Sequence, residues 1–137
     1  MTPRALVTTL AALLVLGTAA CSDAEASRTP EKLPAAADFM AGTCRSAAEP
    51  VLEVARIAGR NDGAKSLSQP DRATLASRQR ELLDLTPSAD AALAPRLTAL
   101  TTAIGFVRLR SDSKSYEPAL LTELNTARRA VQATCVR

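Results

Sequence analysis

The sequence predicts an all-α protein: a small antiparallel up-down four-helix bundle with one disulfide, preceded by a cleaved signal and a flexible tether. Three observations support this prediction. Four segments carry apolar residues at helical spacing, and no segment shows the period-two alternation of a half-buried strand. Two cysteines also fall near the start of the first helix and the end of the fourth. With 137 residues, the chain has room for one domain.

The composition argues against several classes of function. The chain has no histidine, which is the usual base of a serine triad, a common zinc ligand and the ordinary proton shuttle at neutral pH. Aromatic residues make up only 2% and tryptophan is absent, so few rings are present to stack on nucleic-acid bases. The net charge is only +3. We therefore expect neither an enzyme nor a nucleic-acid-binding protein, and no cofactor or metal.

Residues 1–20 have the features of an export signal. Arg4 makes a short basic start, the segment from Ala5 to Leu16 is almost wholly apolar, and small residues follow it. The apolar run is shorter than the roughly 20 residues that a membrane-spanning helix needs. The sequence therefore predicts a cleaved signal peptide.

The end of this signal, Thr18-Ala19-Ala20-Cys21, resembles the lipobox of bacterial lipoproteins. That resemblance implies that Cys21 is lipidated and becomes the mature N-terminus, anchored to the extracytoplasmic face of the cell membrane. The class prefers a branched aliphatic residue where this chain has Thr18. Ordinary signal-peptidase cleavage after Ala20, which would give a secreted protein, is therefore the alternative.

The number of cysteines favours lipidation. Three cysteines in an exported chain leave one thiol unpaired, unless Cys21 carries a lipid. Cys44 and Cys135 would then remain as a pair. In an up-down bundle these two residues are brought together, because the first helix starts beside the end of the fourth.

The segment from residue 21 to 34 is predicted to be a flexible tether. It is polar, contains two prolines and has one large apolar residue, Leu33. The helical bundle is then expected over residues 35–137.

The first helix is predicted around a stripe that runs through Pro50 and ends at the turn signals of residues 59–63. Its members are Met40, Cys44, Ala47, Val51, Val54 and Ala58. Ser46 and Glu49 form a potential capping box, which would instead start a new helix there. The unbroken stripe favours one helix kinked near Pro50.

The other three helices are predicted from similar stripes. The second opens at Ser68 or Gln69, with Pro70 in its first turn, and closes at Thr86 and Pro87. The third has Pro95 near its start and the fourth has Pro118 in its first turn. Their stripes are, in order, Leu75, Leu82 and Leu85; Leu93, Leu97, Leu100, Ile104 and Val107; and Leu120, Leu124, Ala127, Val131 and Cys135.

Two groups of arginines are candidate anion-binding sites. Arg128, Arg129 and Arg137 lie near the chain end, and Arg108 and Arg110 lie near the end of the third helix. Either group would suit phosphate headgroups or an anionic partner. The favoured interpretation is that they are solvated helix ends, where cations also complement the helix dipole.

Three further features are weighed against ordinary structural roles. Glu49 and Glu53 lie one helical turn apart, but no partner is evident for a catalytic or metal site. Tyr116 would either anchor a partner or membrane interface, or cap the bundle end. A threonine patch at Thr98, Thr101 and Thr102 on the predicted outer side of the third helix would either be an ordinary solvated face, which is favoured, or mark a contact with a helix of another protein.

The sequence thus favours a membrane-anchored extracytoplasmic helical module of the bacterial cell envelope that binds a protein partner. The alternatives are a secreted or anchored carrier of a small ligand, and a structural spacer of the envelope. A large apolar cavity would favour the carrier, whereas an exposed apolar surface would favour the protein partner.

Overall fold

A computed structural model describes residues 30–137 and contains four α-helices over that range. They are α1 (Thr43–Arg60), α2 (Gln69–Leu85), α3 (Ala94–Asp112) and α4 (Ala119–Cys135). The described residues contain no extended β-strand. The predicted signal peptide, the predicted lipidation site Cys21 and the tether up to residue 29 lie outside the described residues.

The four helices form the predicted antiparallel up-down bundle. Each helix packs against its neighbours in sequence, and α1 also packs against α4, which closes the ring. Short connections join consecutive helices, as this arrangement requires. The all-α fold class is therefore confirmed.

The core is built from the predicted stripes. The main stripe residues of α2, α3 and α4 are fully buried, and most of the α1 stripe lies against them. These fully buried residues are Ala47, Val51, Val54, Leu75, Leu82, Leu97, Leu100, Ile104, Val107, Leu124, Val131 and Cys135. Each helix thus contributes one apolar face to a single shared interior.

A disulfide joins the start of α1 to the end of α4. Cys44 and Cys135 are bonded, with their Cα atoms 5.3 Å apart, which confirms the predicted pair. The backbone reinforces the same junction, because the Met40 amide donates to the Cys135 carbonyl at 2.8 Å. Phe39 and Val136 form an isolated antiparallel bridge beside it, and Phe39 is fully buried.

The first helix begins later than its apolar stripe. Gly42 has φ +80°, a conformation that side chains with a Cβ rarely adopt, and it turns the extended segment before it into α1. Met40 therefore lies outside the helix, and the prediction that it shares the helical stripe is wrong. Its spacing matched the stripe, but its amide is paired with α4 instead.

Pro50 lies within α1 without ending it. The helix is continuous from Thr43 to Arg60, so the alternative of a new helix starting at Ser46 is wrong. Pro50 has no N–H to donate to the Ser46 carbonyl four residues earlier. It is buried among apolar residues, whose packing offsets the missing hydrogen bond.

The start of α2 is held by a polar cluster. Ser68 caps the helix by accepting a hydrogen bond from the Asp71 amide at 3.2 Å, as predicted for this end. The Asp71 carboxylate also accepts from Arg60 Nε at 3.0 Å and from Asn61 Nδ2 at 2.9 Å. The Arg60 hydrogen bond is the main reason that the pKa of Asp71 lies below its ordinary value. This cluster ties the end of α1 to the start of α2.

The predicted boundaries of the last two helices are close to the observed ones. α3 carries Pro95 in its first turn, and the Asp90 carboxylate accepts from the Leu93 amide at 2.8 Å just before it. Pro118 directly precedes α4 rather than lying in its first turn.

The bundle's contacts begin before the predicted boundary at residue 34. Leu33 packs partly buried against the core, and the Glu31 carboxylate accepts hydrogen bonds from α4. Residues 31–34 of the predicted tether therefore belong structurally with the bundle.

We expect loss of the disulfide to destabilise the bundle without changing its fold. Loop-entropy reasoning assigns roughly 4 kcal/mol to a bridge that spans 91 residues. Cys44→Ser, Cys135→Ser and the double variant should each lower the free energy of unfolding by about this amount in urea titrations. If the double variant were as stable as the wild type, the bridge would not be a major constraint on the unfolded chain.

Candidate functional site

Arg128 is a fully buried arginine on α4. Its Nη2 donates to the Glu31 carboxylate at 2.7 Å and its Nε donates to Asn125 Oδ1 at 3.1 Å. Its Nη1 donates to Gln132 Oε1. Burial lowers the pKa of Arg128, and the hydrogen bond to Glu31 opposes that shift. The guanidinium is therefore held by neighbours within the chain.

Glu31 joins the segment before α1 to α4. Besides Arg128, it accepts from Arg129 Nη2 at 3.0 Å. The hydrogen bonds from Arg129 and then Arg128 hold the pKa of Glu31 below its ordinary value, although partial burial opposes them. A carboxylate on one side and two guanidinium groups on the other thus fasten this segment to the bundle.

The candidate anion-binding cluster at the chain end does not form. Arg128 is buried and paired, so it does not contact headgroups or an anionic partner, and the favoured interpretation that it is solvated at a helix end is also wrong. Arg129 is exposed but is paired with Glu31, and Arg137 is exposed at the chain end. In the sequence these arginines appear to carry surplus positive charge, because their acidic partner Glu31 lies almost a hundred residues away along the chain.

The other arginine pair is divided between two environments. Arg108 Nη1 donates to Gln79 Oε1 at 2.6 Å, and Gln79 Nε2 donates to the Thr101 carbonyl at 2.8 Å. Gly105 gives room for this link, because a Cβ there would lie 3.0 Å from Gln79 Nε2. Arg110 is exposed in the last turn of α3. Arg108 therefore connects α2 to α3.

The two glutamates of α1 bind an arginine of the same helix. Arg56 Nη1 donates to Glu49 at 2.9 Å and to Glu53 at 2.8 Å. Within residues 30–137, no group of three His, Cys, Asp or Glu side chains is placed to hold a metal ion. This cluster is a surface ion-pair network.

Tyr116 packs against the core from the α3–α4 connection. Its hydroxyl is buried and has no hydrogen-bond partner among the described residues. Burial and the nearby charge of Asp62 raise the pKa of Tyr116. This placement agrees with the predicted role as a cap over the bundle end.

An apolar groove runs along the surface between α3 and α4. Its volume is about 560 Å³, and it is open to solvent. Small side chains and one phenylalanine form most of its walls. The walls include Ala99, Thr102, Ala103 and Phe106 of α3, and Ala127 and Ala130 of α4.

Phe106 is the largest apolar side chain of this groove and is 52% exposed. Leu109, one helical turn further along α3, is 62% exposed. An exposed apolar surface of this kind is a common feature of protein-binding sites. The α3–α4 groove is therefore the candidate functional site.

The predicted threonine patch contributes to the groove only in part. Thr102 is exposed and lines it, and Thr98 is exposed nearby. Thr101 is buried and donates to the Thr98 carbonyl at 3.0 Å, so its predicted place on the outer side is wrong. Four residues after Leu97 and three before Ile104, Thr101 lies on the core stripe of α3.

Opposite charges lie at the two ends of the groove. Arg96 lies in the first turn of α3, whereas Glu123 lies in the second turn of α4, close to the α3–α4 connection. Both side chains are exposed. Among residues 30–137, neither has an ion-pair partner.

A second hollow, of about 640 Å³, lies between the segment before α1 and the end of α4. Lys32, Asp38 and Gln132 contribute its polar groups. The Gln132 amide nitrogen is buried and has no partner among the described residues, but the Gln132 oxygen accepts from Arg128. This hollow belongs to the Glu31–Arg128 attachment rather than to a separate site.

Sequence reasoning missed Phe106 and Glu31. The signal for Phe106 was available, because it falls between Ile104 and Val107 and so lies off the core stripe of α3. Glu31 gave no local signal, since its partners are almost a hundred residues away.

Comparison of the chain with protein-family models, with curated proteins and with solved structures finds no match. Within residues 30–137, no helix combines the length and the apolar character needed to cross a membrane. The α3–α4 groove and the sequence before the bundle are therefore the features that bear on function.

We expect Glu31→Gln to destabilise the protein by about 2 kcal/mol, because it leaves the buried Arg128 charge without its carboxylate. Adding Arg128→Met should recover part of this loss, since the double variant buries no unpaired charge. Glu49→Gln is the matched control, because it breaks an exposed ion pair and should cost less than about 1 kcal/mol. Urea titrations of all four proteins measure these differences.

The same pair should also contribute a pH dependence. Because the folded pKa of Glu31 is lowered, its stabilisation is present above the ordinary glutamate pKa and is lost as the pH falls through the folded value. Glu31→Gln should therefore flatten this part of the stability profile. An unchanged acid limb would contradict the pairing.

Proposed function

We propose that the protein is a lipid-anchored, extracytoplasmic module of the bacterial envelope that binds a protein partner through the α3–α4 groove. The observation that carries the binding role is Phe106, a large aromatic side chain 52% exposed in an apolar groove. Aromatic side chains are prominent among the residues that dominate protein interfaces.

The anchor in this proposal rests on the lipobox-like run at residues 18–21 and on the cysteine count. Cys44 and Cys135 are bonded to each other. Cys21 is then the one cysteine without a partner inside the bundle, which supports its assignment as the lipidated residue. Lipidation would place the bundle on the extracytoplasmic face of the membrane.

The form of the groove favours a protein partner over a small ligand. A small-molecule carrier buries most of its ligand in a concave apolar site. The α3–α4 groove is open to solvent along its length, and its walls are mainly alanine and threonine. A helix or side chains from another protein would cover such a surface better than a small molecule would. An envelope spacer would have no need of the exposed Phe106.

We expect Cys21→Ala to release the protein from the membrane fraction, because the variant cannot receive a lipid. Mass spectrometry of the mature wild-type N-terminus should find diacyl or triacyl mass on Cys21. Ser22→Ala is the matched control, since it changes the neighbouring residue, keeps the lipid acceptor and the Cys44–Cys135 bond, and should leave the protein in the membrane fraction. An unmodified Cys21, or a mature N-terminus elsewhere, would remove the anchor from the proposal.

We expect a photoreactive residue at Thr102 to crosslink a protein partner in native membranes, because Thr102 lies within the groove. Phe106→Asp should abolish that crosslink by placing a charge on the apolar contact. Leu83→Asp is the matched control, since Leu83 is 49% exposed on α2 and outside the groove. A crosslink that survives Phe106→Asp, or no crosslink at all, would contradict the binding role.

A further inference from the structure

We infer that the partner of the α3–α4 groove is a second copy of this chain. This inference rests on the proposed function, because it names the occupant of the same groove. Three features of the groove carry it: a protruding aromatic side chain, a shallow region lined by small residues, and opposite charges at the two ends.

The charges set the orientation of the two copies. Arg96 lies at the end of the groove away from the α3–α4 connection, and Glu123 lies at the end near it. Because an α-helix rises about 1.5 Å per residue, these two positions are roughly 15 to 18 Å apart along the groove. In a two-fold symmetric pair with antiparallel grooves, α3 of each copy lies over α3 of the other. Arg96 of each copy then comes level with Glu123 of the other, on the opposite wall of the groove, so one symmetric contact places two pairs of opposite charge near each other.

The aromatic side chain fits the same symmetry. The midpoint between Arg96 and Glu123 falls near Thr102, with Phe106 about one turn to one side and Ala99 about one turn to the other. A two-fold axis at Thr102 places Phe106 of one copy over Ala99 and Ala130 of the other. These alanines leave room for a ring, so each copy supplies both the protruding group and the space that receives it.

A groove that binds an unrelated protein does not need to be complementary to the same groove on a second copy. Here the large residue lies on one side of the midpoint, Ala99 and Ala130 lie on the other, and the charges at the two ends have opposite sign. In the proposed pair, each half of one groove contacts the opposite half of the groove of the other copy.

The test uses two tagged forms of the full chain, expressed together and extracted from membranes in mild detergent. One tag is used for purification, and the recovery of the other tag is measured. The wild-type pair should be recovered together. When both forms carry Arg96→Glu, glutamate faces glutamate and recovery should fall about tenfold, and both forms carrying Glu123→Arg should behave likewise.

The deciding arm combines the two variants. One form with Arg96→Glu and one with Glu123→Arg place opposite charges together again at both ends, so recovery should return to near the wild-type level. That recovery would also show that each variant folds. Leu83→Asp in both forms is the control outside the groove and should leave recovery unchanged.

Two results would overturn the inference: no recovery for the wild-type pair, or equal recovery in all the charge arms. The mass of the Thr102 crosslink separates this failure from that of the proposed function. A Phe106-dependent adduct with a different protein would overturn the second copy and retain the binding groove. Absence of any such adduct would overturn both.

Discussion

The junction between the start of α1 and the end of α4 is the constraint on which the rest of the bundle depends. The Cys44–Cys135 bond, the Met40 amide and the Phe39–Val136 bridge all act at this point. With the first and last helices of the bundle joined there, α2 and α3 complete the ring between them. The interior is filled mainly by alanine, valine and leucine. Because many of these side chains are small, neighbouring helices pack closely together. A core with so little aromatic surface gains stability from a covalent closure.

The helices could be predicted from the sequence because their signals are local. Apolar residues three and four positions apart lie on one face of a helix whatever the rest of the chain does. The disulfide was also predictable, since the cysteine count and the helix order point to one pair. Thr101 was predicted to lie on the outer side of α3, as its hydroxyl suggested. Its position on the apolar stripe indicated burial, and it is buried.

Arg128 could not be predicted as a buried residue, since its environment is made by distant parts of the chain. A guanidinium is buried only when an opposite charge pairs with it. The carboxylate that pairs with Arg128 belongs to Glu31, 97 residues earlier in the chain. The α3–α4 groove could not be predicted from the sequence for a similar reason. The position of Phe106 off the stripe indicates exposure, but only the packing of α3 against α4 shows which small residues lie beside it.

The attachment of Glu31 to α4 limits how far the bundle can lie from a lipid on Cys21. If Cys21 carries the proposed lipid, only ten residue steps separate the anchor from Glu31, which is fastened to α4. A chain spans at most about 3.5 Å per residue, so the point where Glu31 is fastened to the bundle stays within roughly 35 Å of the anchor. That distance is comparable with the length of the helices themselves. Molecules held in this way would meet by diffusion in two dimensions, within a thin layer above the lipid, where even a weak contact is strongly favoured by the high local concentration.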